Sequence, residues 1–388
     1  MRIRKCFTEF FLFVLFTFTY SKREDKTCDG GYECVHRAKC GFYKEELQRS
    51  EQFSKKSKDR NDIIQSLRAL ICNTKDKKVC CKIQNDNDPE SPGYIPGNGE
   101  CGLSEDAAFI VGGTDTKPGE FPWSALIRKR RPDDVIRWHC GGVLINKWYV
   151  VSAAHCDDDD SGIEEVRLGE WKVKEGDNFD KRKGNPIVDC DACPNLQDIT
   201  VALVQKHPNY GRNYQGVSNN DIMMIKLSRP AVYNRMVKPV CLPPPDFDHL
   251  LGEEGHTPGF FKKQNVVVGW GKTYRGFVKE ILQTPSADQQ KLTTPLLSNK
   301  ECIELFKRTQ RGVVLEISVE KHLCAGGEIG KDSCNGDSGG PLVGREQPLD
   351  HFTLIGLVSG GAKTCGRGTP AIYTRVSHYR NWILSQMI

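Results

Sequence analysis

The stretch HCGGVLINKWYVVSAAHC, residues 139–156, shows the character of most of the chain. It holds two short runs of apolar, mostly β-branched residues, separated by Asn and Lys. Such runs, bounded by Gly, Pro or Asn, are typical of short β-strands. Similar runs recur as EEVRLGEW, DIMMIKL, NVVVGWG, FTLIGLVSGG and AIYTRV. Many short strands at fairly regular spacing predict an all-β sandwich or barrel, and HYRNWILSQMI predicts a final helix.

Three motifs in this β-rich region each contain one member of a nucleophilic set. They are His155 in SAAHC, Asp221 in NNDIMMIKL and Ser338 in GDSGGP. A serine hydroxyl needs an imidazole to take its proton, and a carboxylate to hold that imidazole in the right tautomer. Each residue alone is weak evidence, because a lone His or a turn Asp is usually structural. The order His, Asp, Ser with all three motifs predicts a hydrolase triad.

The glycines around Ser338 have a separate chemical reason. Backbone N–H groups of Gly336 and Ser338 can converge on a developing oxyanion only where no side chain obstructs the turn. The sequence therefore predicts an oxyanion hole at Gly336 and Ser338.

The N-terminus predicts export. MRIRK is followed by an apolar run of eleven residues, Phe10 to Tyr20, which is too short to span a bilayer of ~30 Å as a helix. We interpret residues 1–21 as a signal peptide rather than a buried helix, so the mature protein is expected to be secreted, without a membrane segment. Of 17 cysteines, Cys6 leaves with this peptide, and the even remainder suits disulfides in an oxidising compartment.

Composition excludes several other classes. With 388 residues, 38% of them hydrophobic, the chain has room for one large domain and a smaller one. The net charge of +5 comes without a long basic block interleaved with aromatics, so no nucleic-acid partner is expected. Zinc is the rival explanation for Cys190 and Cys193, but no histidines are spaced beside them as ligands, so no metal is expected.

The first third of the chain predicts a small disulfide-supported module. Six cysteines lie between Cys28 and Cys81, and the segment between Cys40 and Cys72 has apolar residues at helical spacing near its end. Asn85 to Glu100 is rich in Pro, Gly, Asn and Asp, and is interpreted as a linker.

Residues 110–388 resemble the chymotrypsin-family serine proteases. The resemblance implies two packed six-stranded antiparallel β-barrels, a C-terminal helix, and a catalytic cleft between the barrels. It also implies the disulfides Cys140–Cys156, Cys302–Cys324 and Cys334–Cys365.

The same resemblance assigns a specificity pocket. Asp332 would form its base, where a buried carboxylate selects Arg or Lys, and Ser333, Ser359, Gly361 and Ala371 would line it. Two departures stand out. Gly360 replaces the usual Trp, which removes an apolar wall, and Ala371 replaces a frequent Gly, which narrows the pocket and favours Arg over Lys.

The N-terminal cysteines resemble the clip domain of arthropod clip-domain serine proteases. Spacing alone permits 15 connectivities for six cysteines; the resemblance implies Cys28–Cys80, Cys34–Cys72 and Cys40–Cys81. It also implies that Cys101–Cys241 keeps the light chain attached after activation, and Cys190 and Cys193 are left for each other.

Two acidic features remain. Asp157 to Asp160 form a run that is interpreted as a solvated loop, with attraction of basic substrate residues as the alternative. Glu170 lies where some relatives begin a calcium loop, but one carboxylate is far short of the six to eight oxygens that calcium takes. No cofactor is expected, and calcium stays an open alternative.

The resemblance implies that cleavage before Ile110 frees an amino group that pairs with Asp337. Relatives usually have Arg or Lys before the cut, whereas this chain has Phe109. We therefore expect an upstream protease with an apolar preference.

The sequence thus predicts a signal peptide (1–21), a clip domain (28–81), a linker and activation segment (82–109) and a trypsin-like protease domain (110–388). The expected partners are a protein substrate, the activating protease, a serpin-type inhibitor and an unidentified clip-domain partner, in melanisation, Toll-ligand processing or clotting. The rival hypothesis is a non-catalytic binding cofactor, which would normally have lost Ser338.

Overall fold

In the computed structural model the described residues are 32–37, 47, 58–69, 71–75, 77–82, 88–97, 99–104, 114–130, 136–157, 162–173, 195–245, 247, 265–271, 286–310, 316–329, 336–345, 351–361 and 367–387. The chain divides into two compact units, Met1–Ile83 and Gln84–Ile388. Among the described residues, no helix is long and apolar enough to cross a membrane.

In its described residues, the first unit contains a small sheet and the helix α1. Strand β3 pairs antiparallel with both β1 and β2, and a disulfide joins Cys34 to Cys72. Leu67 of the helix and Val79 of β3 are buried, which fits the apolar spacing at the end of this segment. The elements are β1 (Tyr32–His36), α1 (Lys58–Ala69), β2 (Ile71–Asn73) and β3 (Lys78–Lys82).

The second unit begins with a closed barrel of six antiparallel strands, in the order β12-β7-β6-β5-β8-β9. Its strands are short and rich in Val, Ile, Leu and Met, and their buried side chains fill the interior. A hairpin of two-residue strands, β10 and β11, lies before β12. The elements are β5 (Ser124–Arg130), β6 (Ile136–Leu144), β7 (Tyr149–Ser152), β8 (Ile163–Leu168), β9 (Gln197–Lys206), β10 (Gly211–Arg212), β11 (Ser218–Asn219) and β12 (Met223–Leu227).

The rest of this unit is a second antiparallel sheet, in the order β15-β16-β19-β18-β17-β13-β14-β4. Without its two-residue end strands β4 and β15, it has six strands, so the all-β, chymotrypsin-like expectation is confirmed. The elements are β4 (Thr114–Asp115), β13 (Asn265–Gly269), β14 (Gln290–Thr294), β15 (Leu296–Leu297), β16 (His322–Gly326), β17 (Pro341–Arg345), β18 (Phe352–Gly360) and β19 (Pro370–Arg375).

Two helices with described bounds accompany the sheets. Helix α3 (Val376–Gln386) is the predicted C-terminal helix. Helix α2 (Asn299–Thr309) was not predicted, although its N-terminus has a capping box between Ser298 and Glu301, which is a recognisable helix start signal.

Candidate active site

His155 and Asp221 come together through the pairing of two strands in the first barrel. Met223 of β12 lies opposite Ser152 of β7, so the residues just before β12 meet those just after β7. The backbone N–H of His155 donates to Asp221 Oδ1 at 2.9 Å, and His155 Nδ1 bonds to Oδ2 at 2.8 Å. With Nδ1 donating to this carboxylate, Nε2 is left as the proton acceptor.

The turn that presents Asp221 is fixed from three directions. Asn220 has φ of 52°, in the left-handed region that Asn tolerates better than most residues. Its amide donates to Asn209 O at 2.7 Å and accepts from the Tyr379 hydroxyl at 3.1 Å. The Thr374 hydroxyl donates to Asp221 O at 2.7 Å. Asp221 is only 1% exposed, so its carboxylate depends on these neighbours and on its own hydrogen bonds for orientation.

Ser359 makes a contact that sequence reasoning missed. Its hydroxyl donates to Asp221 Oδ2 at 2.5 Å, and its place in the pocket lining stays a prediction. Ser359 belongs to β18 of the second sheet, 138 positions from Asp221. No short motif signals a contact over that separation.

Ser338 lies where the two sheets meet. Gly141 of β6 donates its N–H to the Ser338 carbonyl at 2.8 Å. The same carbonyl oxygen lies 3.9 Å from the sulfur of Cys156, the neighbour of His155. A disulfide joins Cys156 to Cys140. The loop with the proposed nucleophile, Ser338, therefore contacts strand β6. It also lies beside the disulfide next to the proposed base, His155.

The turn before Ser338 is shaped by Gly336 and Asp337. Gly336 has φ of 108°, which favours glycine strongly. Asp337 Oδ1 accepts the N–H of Gly271 at 2.7 Å, and a Cβ at Gly269 or Gly271 would overlap this carboxylate. The two glycines thus leave the space that Asp337 fills. Phe109 and Ile110 lie outside the described residues, so their pairing with Asp337 stays a prediction.

Part of the proposed pocket is described. A Cβ on Gly361 would lie 3.7 Å from Ala371 Cα, so these two residues face each other as pocket walls would. A Cβ on Gly360 would meet no atom within 4 Å, so there is open space at the position where the family usually has Trp. Asp332 and Ser333 lie outside the described residues.

A buried histidine, His322, is hydrogen-bonded to the segment that precedes Asp221. His322 Nε2 lies 2.9 Å from Ser218 O, and its Nδ1 accepts the Ser318 N–H at 3.0 Å. These partners fix the neutral tautomer with the proton on Nε2. Burial is the main cause of a lowered pKa for His322, because it penalises the charged form.

The carboxylate of Glu170, where calcium was left as an open alternative, is hydrogen-bonded within the protein. Its Oε1 accepts the N–H groups of Trp171 and Lys172, each at 3.0 Å, and its Oε2 accepts Arg167 at 3.2 Å. Three of roughly four acceptor positions on the carboxylate are therefore occupied by protein donors. Burial raises the pKa of Glu170 against the opposing effect of Arg167. The engaged carboxylate leaves little capacity for a metal ion.

Four of the predicted disulfides are present among the described residues. They are Cys34–Cys72, Cys101–Cys241, Cys140–Cys156 and Cys302–Cys324. Cys80 is also disulfide-bonded. The remaining pairings stay predictions, because Cys28, Cys40, Cys190, Cys193, Cys334 and Cys365 lie outside the described residues, as does the Cys81 side chain.

Comparison with known proteins agrees with this geometry. The family model described as Trypsin matches residues 110–383. The chain belongs to the trypsin family. Among its relatives, phenoloxidase-activating factor 3 of Holotrichia diomphalia is 36% identical over 83% of both chains. CLIP domain-containing serine protease HP8 of Bombyx mori is 32% identical over 93% of this chain and 92% of its own. CLIP domain-containing serine protease B10 of Anopheles gambiae is 37% identical over 83% of both chains. The resemblance of this trypsin-family chain to clip-domain serine proteases is thus confirmed.

Proposed function

We propose that this protein is the secreted zymogen of an endopeptidase that cleaves protein substrates after Arg or Lys. The observation that carries the proposal is the hydrogen-bonded set His155–Asp221–Ser359, with the Ser338 loop resting beside it. His155 Nε2 takes the Ser338 proton, and the N–H groups of Gly336 and Ser338 stabilise the oxyanion. Asp332 binds the substrate cation, next to the walls formed by Gly361 and Ala371.

The cascade is inferred from the relatives. The names of several refer to phenoloxidase activation or melanisation. We therefore propose that this protein acts in such an extracellular cascade rather than in Toll-ligand processing or clotting. A serpin-type inhibitor and a clip-domain partner belong to the same proposal.

Activation is proposed to occur between Phe109 and Ile110. Asp332 would reject phenylalanine, because an apolar side chain leaves a buried carboxylate without a counter-charge. The mature enzyme therefore does not activate its own precursor, and the activator prefers apolar residues.

The test is to treat the purified zymogen with trypsin or with chymotrypsin, and to assay peptides that end in Arg, Lys or Phe. We expect chymotrypsin to cut at Phe109–Ile110, and the product to cleave the Arg peptide fastest. The Ser338→Ala variant, activated in the same way, is expected to be inactive. Failure to cleave the Arg peptide would contradict the proposed specificity, and cleavage of none of the peptides would favour the non-catalytic cofactor. Equal cleavage by the Ser338→Ala variant would contradict Ser338 as the nucleophile. Activation by trypsin at this bond, or self-activation, would contradict the proposed activator.

A further inference from the structure

Residues 88–97 and 99–104, which fall in the predicted linker, lie against the protease domain. We call this segment the strap. Its C-terminal end is attached by the disulfide Cys101–Cys241. Two backbone hydrogen bonds continue this attachment: Gly102 N donates to Pro239 O, and Phe352 N donates to Gly102 O, both at 2.8 Å.

A second attachment, nearer the N-terminal end of the strap, is made by Asn146 of the protease domain. Asn146 is only 1% exposed. Its Nδ2 donates to the carbonyls of Pro92 at 2.8 Å and Tyr94 at 2.9 Å. Its Oδ1 accepts the N–H groups of Trp148 and Tyr149 at 2.8 and 2.7 Å. One buried amide therefore joins the strap to the start of β7.

The residues next to Asn146 add further contacts. Trp148 Nε1 donates to the Glu90 carbonyl at 2.8 Å, and Lys147 forms an ion pair with the Glu90 carboxylate. Lys147 Nζ also lies 5.3 Å from the centre of the Tyr233 ring. Burial, and then the charges of Glu100 and Glu90, raise the pKa of Tyr233, which agrees with the closeness of the strap to this ring.

The strap also holds its own shape. The Glu100 carboxylate accepts the Tyr94 hydroxyl and the Gly97 N–H, and Pro92 and Pro96 restrict the backbone nearby. These contacts and prolines restrict the conformations of the strap, which reduces the conformational entropy that is lost when it binds.

We propose that Asn146, Lys147 and Trp148 form a docking site for the strap. This site keeps the N-terminal chain bound after activation cleavage even when the disulfide Cys101–Cys241 is absent. Asn146 and Trp148 bind the strap through its carbonyl groups at positions 90, 92 and 94. Docking therefore depends on the conformation of the strap more than on its side chains. The inference goes beyond the proposed protease activity and does not require it.

The test uses the full chain with Cys101→Ser and Cys241→Ser, so that no disulfide joins the strap to the protease domain. Ser338→Ala prevents self-digestion, and residues 105–109 are replaced by an enteropeptidase recognition sequence, so that cutting is independent of any natural activator. After cutting, gel filtration and native mass spectrometry measure whether the two fragments stay together. We expect them to stay together.

The decisive variant is Asn146→Asp in this background. Aspartate keeps the acceptor for Trp148 and Tyr149 but turns an oxygen toward the two strap carbonyls, so we expect the fragments to bind about tenfold or more weakly. Asn234→Asp is the matched control, because Asn234 Oδ1 accepts the Met236 N–H, as in a turn, at 2.7 Å, and we expect full retention. If Asn146→Asp fails to fold, Trp148→Phe removes the donor to Glu90 O instead. Separation of the fragments with Asn146 and Trp148 intact, or unchanged retention in these variants, would overturn the proposal.

Discussion

Asp221 accepts hydrogen bonds from three donors: the backbone N–H of His155, the imidazole of His155 and the hydroxyl of Ser359. A buried carboxylate with this many donors is held in one orientation. Residues from both sheets therefore fix the orientation of the Asp221 carboxylate. This carboxylate in turn orients the imidazole of His155, the proposed base.

Replacing Ser359 tests whether its hydroxyl serves the triad or the pocket. We expect Ser359→Ala to lower kcat by about tenfold, because one hydrogen bond to a charged group is lost, and to leave KM nearly unchanged. Steady-state kinetics on an Arg peptide measure both constants. A raised KM with normal kcat would instead support the pocket role that the sequence suggested. Ser385→Ala, on the exposed face of α3, is the control.

His322 predicts a loss of stability in weak acid. Its folded-state pKa is lowered, so the unfolded chain binds the proton more readily as the pH falls below the ordinary value of about 6.5. The stabilisation from neutral His322 is complete above that pH and is lost progressively below it. Thermal unfolding between pH 5 and pH 7.5 is expected to show a smaller pH dependence for His322→Gln than for the unmodified protein. The exposed His36→Gln serves as the control, and equal slopes for His322→Gln and the unmodified protein would contradict this assignment.

At the scale of elements, a buried ion pair connects the segment after β4 to the second sheet. Lys291 of β14 pairs with Glu120, and the two side chains are 8% and 2% exposed. Glu120 also accepts the Lys117 N–H at 2.9 Å. Since β4 pairs with β14, the pair fixes the chain just beyond the proposed activation segment.

Removal of one partner of this pair is expected to be costly. Lys291→Met leaves Glu120 buried without its cation, so we expect the free energy of unfolding to fall by about 3–5 kcal/mol. The double variant Lys291→Met, Glu120→Gln is expected to recover much of that loss, because no unpaired charge remains. Chemical denaturation of the single and double variants gives both values. Additive losses would show that the pair is not coupled.

Elements whose sequence signals lie within a few neighbouring residues could be predicted. The strands around residues 139–156 and helix α3 follow from short apolar runs, and the triad positions follow from three compact motifs. Helix α2 was missed although Ser298 and Glu301 form a capping box. The docking of the strap was not predictable, because Asn146 binds carbonyl groups, which every residue carries. The contact of Ser359 with Asp221 likewise depends on how two sheets meet.

At the scale of the whole molecule, we expect that Glu170 does not recruit calcium to stabilise the protein. Glu170 is engaged by Arg167 and by two backbone donors, and Arg167 itself binds Asp198 through two nitrogens at 2.7 and 2.9 Å. We expect the melting temperature to be the same in excess calcium and in EDTA. A clear calcium-dependent rise would show that other residues supply the ligands. Arg167→Met is the comparison variant, because it removes the Arg167 hydrogen bond to Glu170. We expect it to lower the melting temperature equally in calcium and in EDTA.

The meeting of the two sheets at Gly141 and Ser338 also bears on how the protein is made. Ribosomes complete the barrel with His155 and Asp221 before they reach the strands around Ser338 and Ser359. A nascent or truncated chain therefore carries the base and its carboxylate without a nucleophile. Under the proposed function, incomplete copies of the chain are therefore expected to be unable to cleave peptide bonds, independently of the proposed activation step.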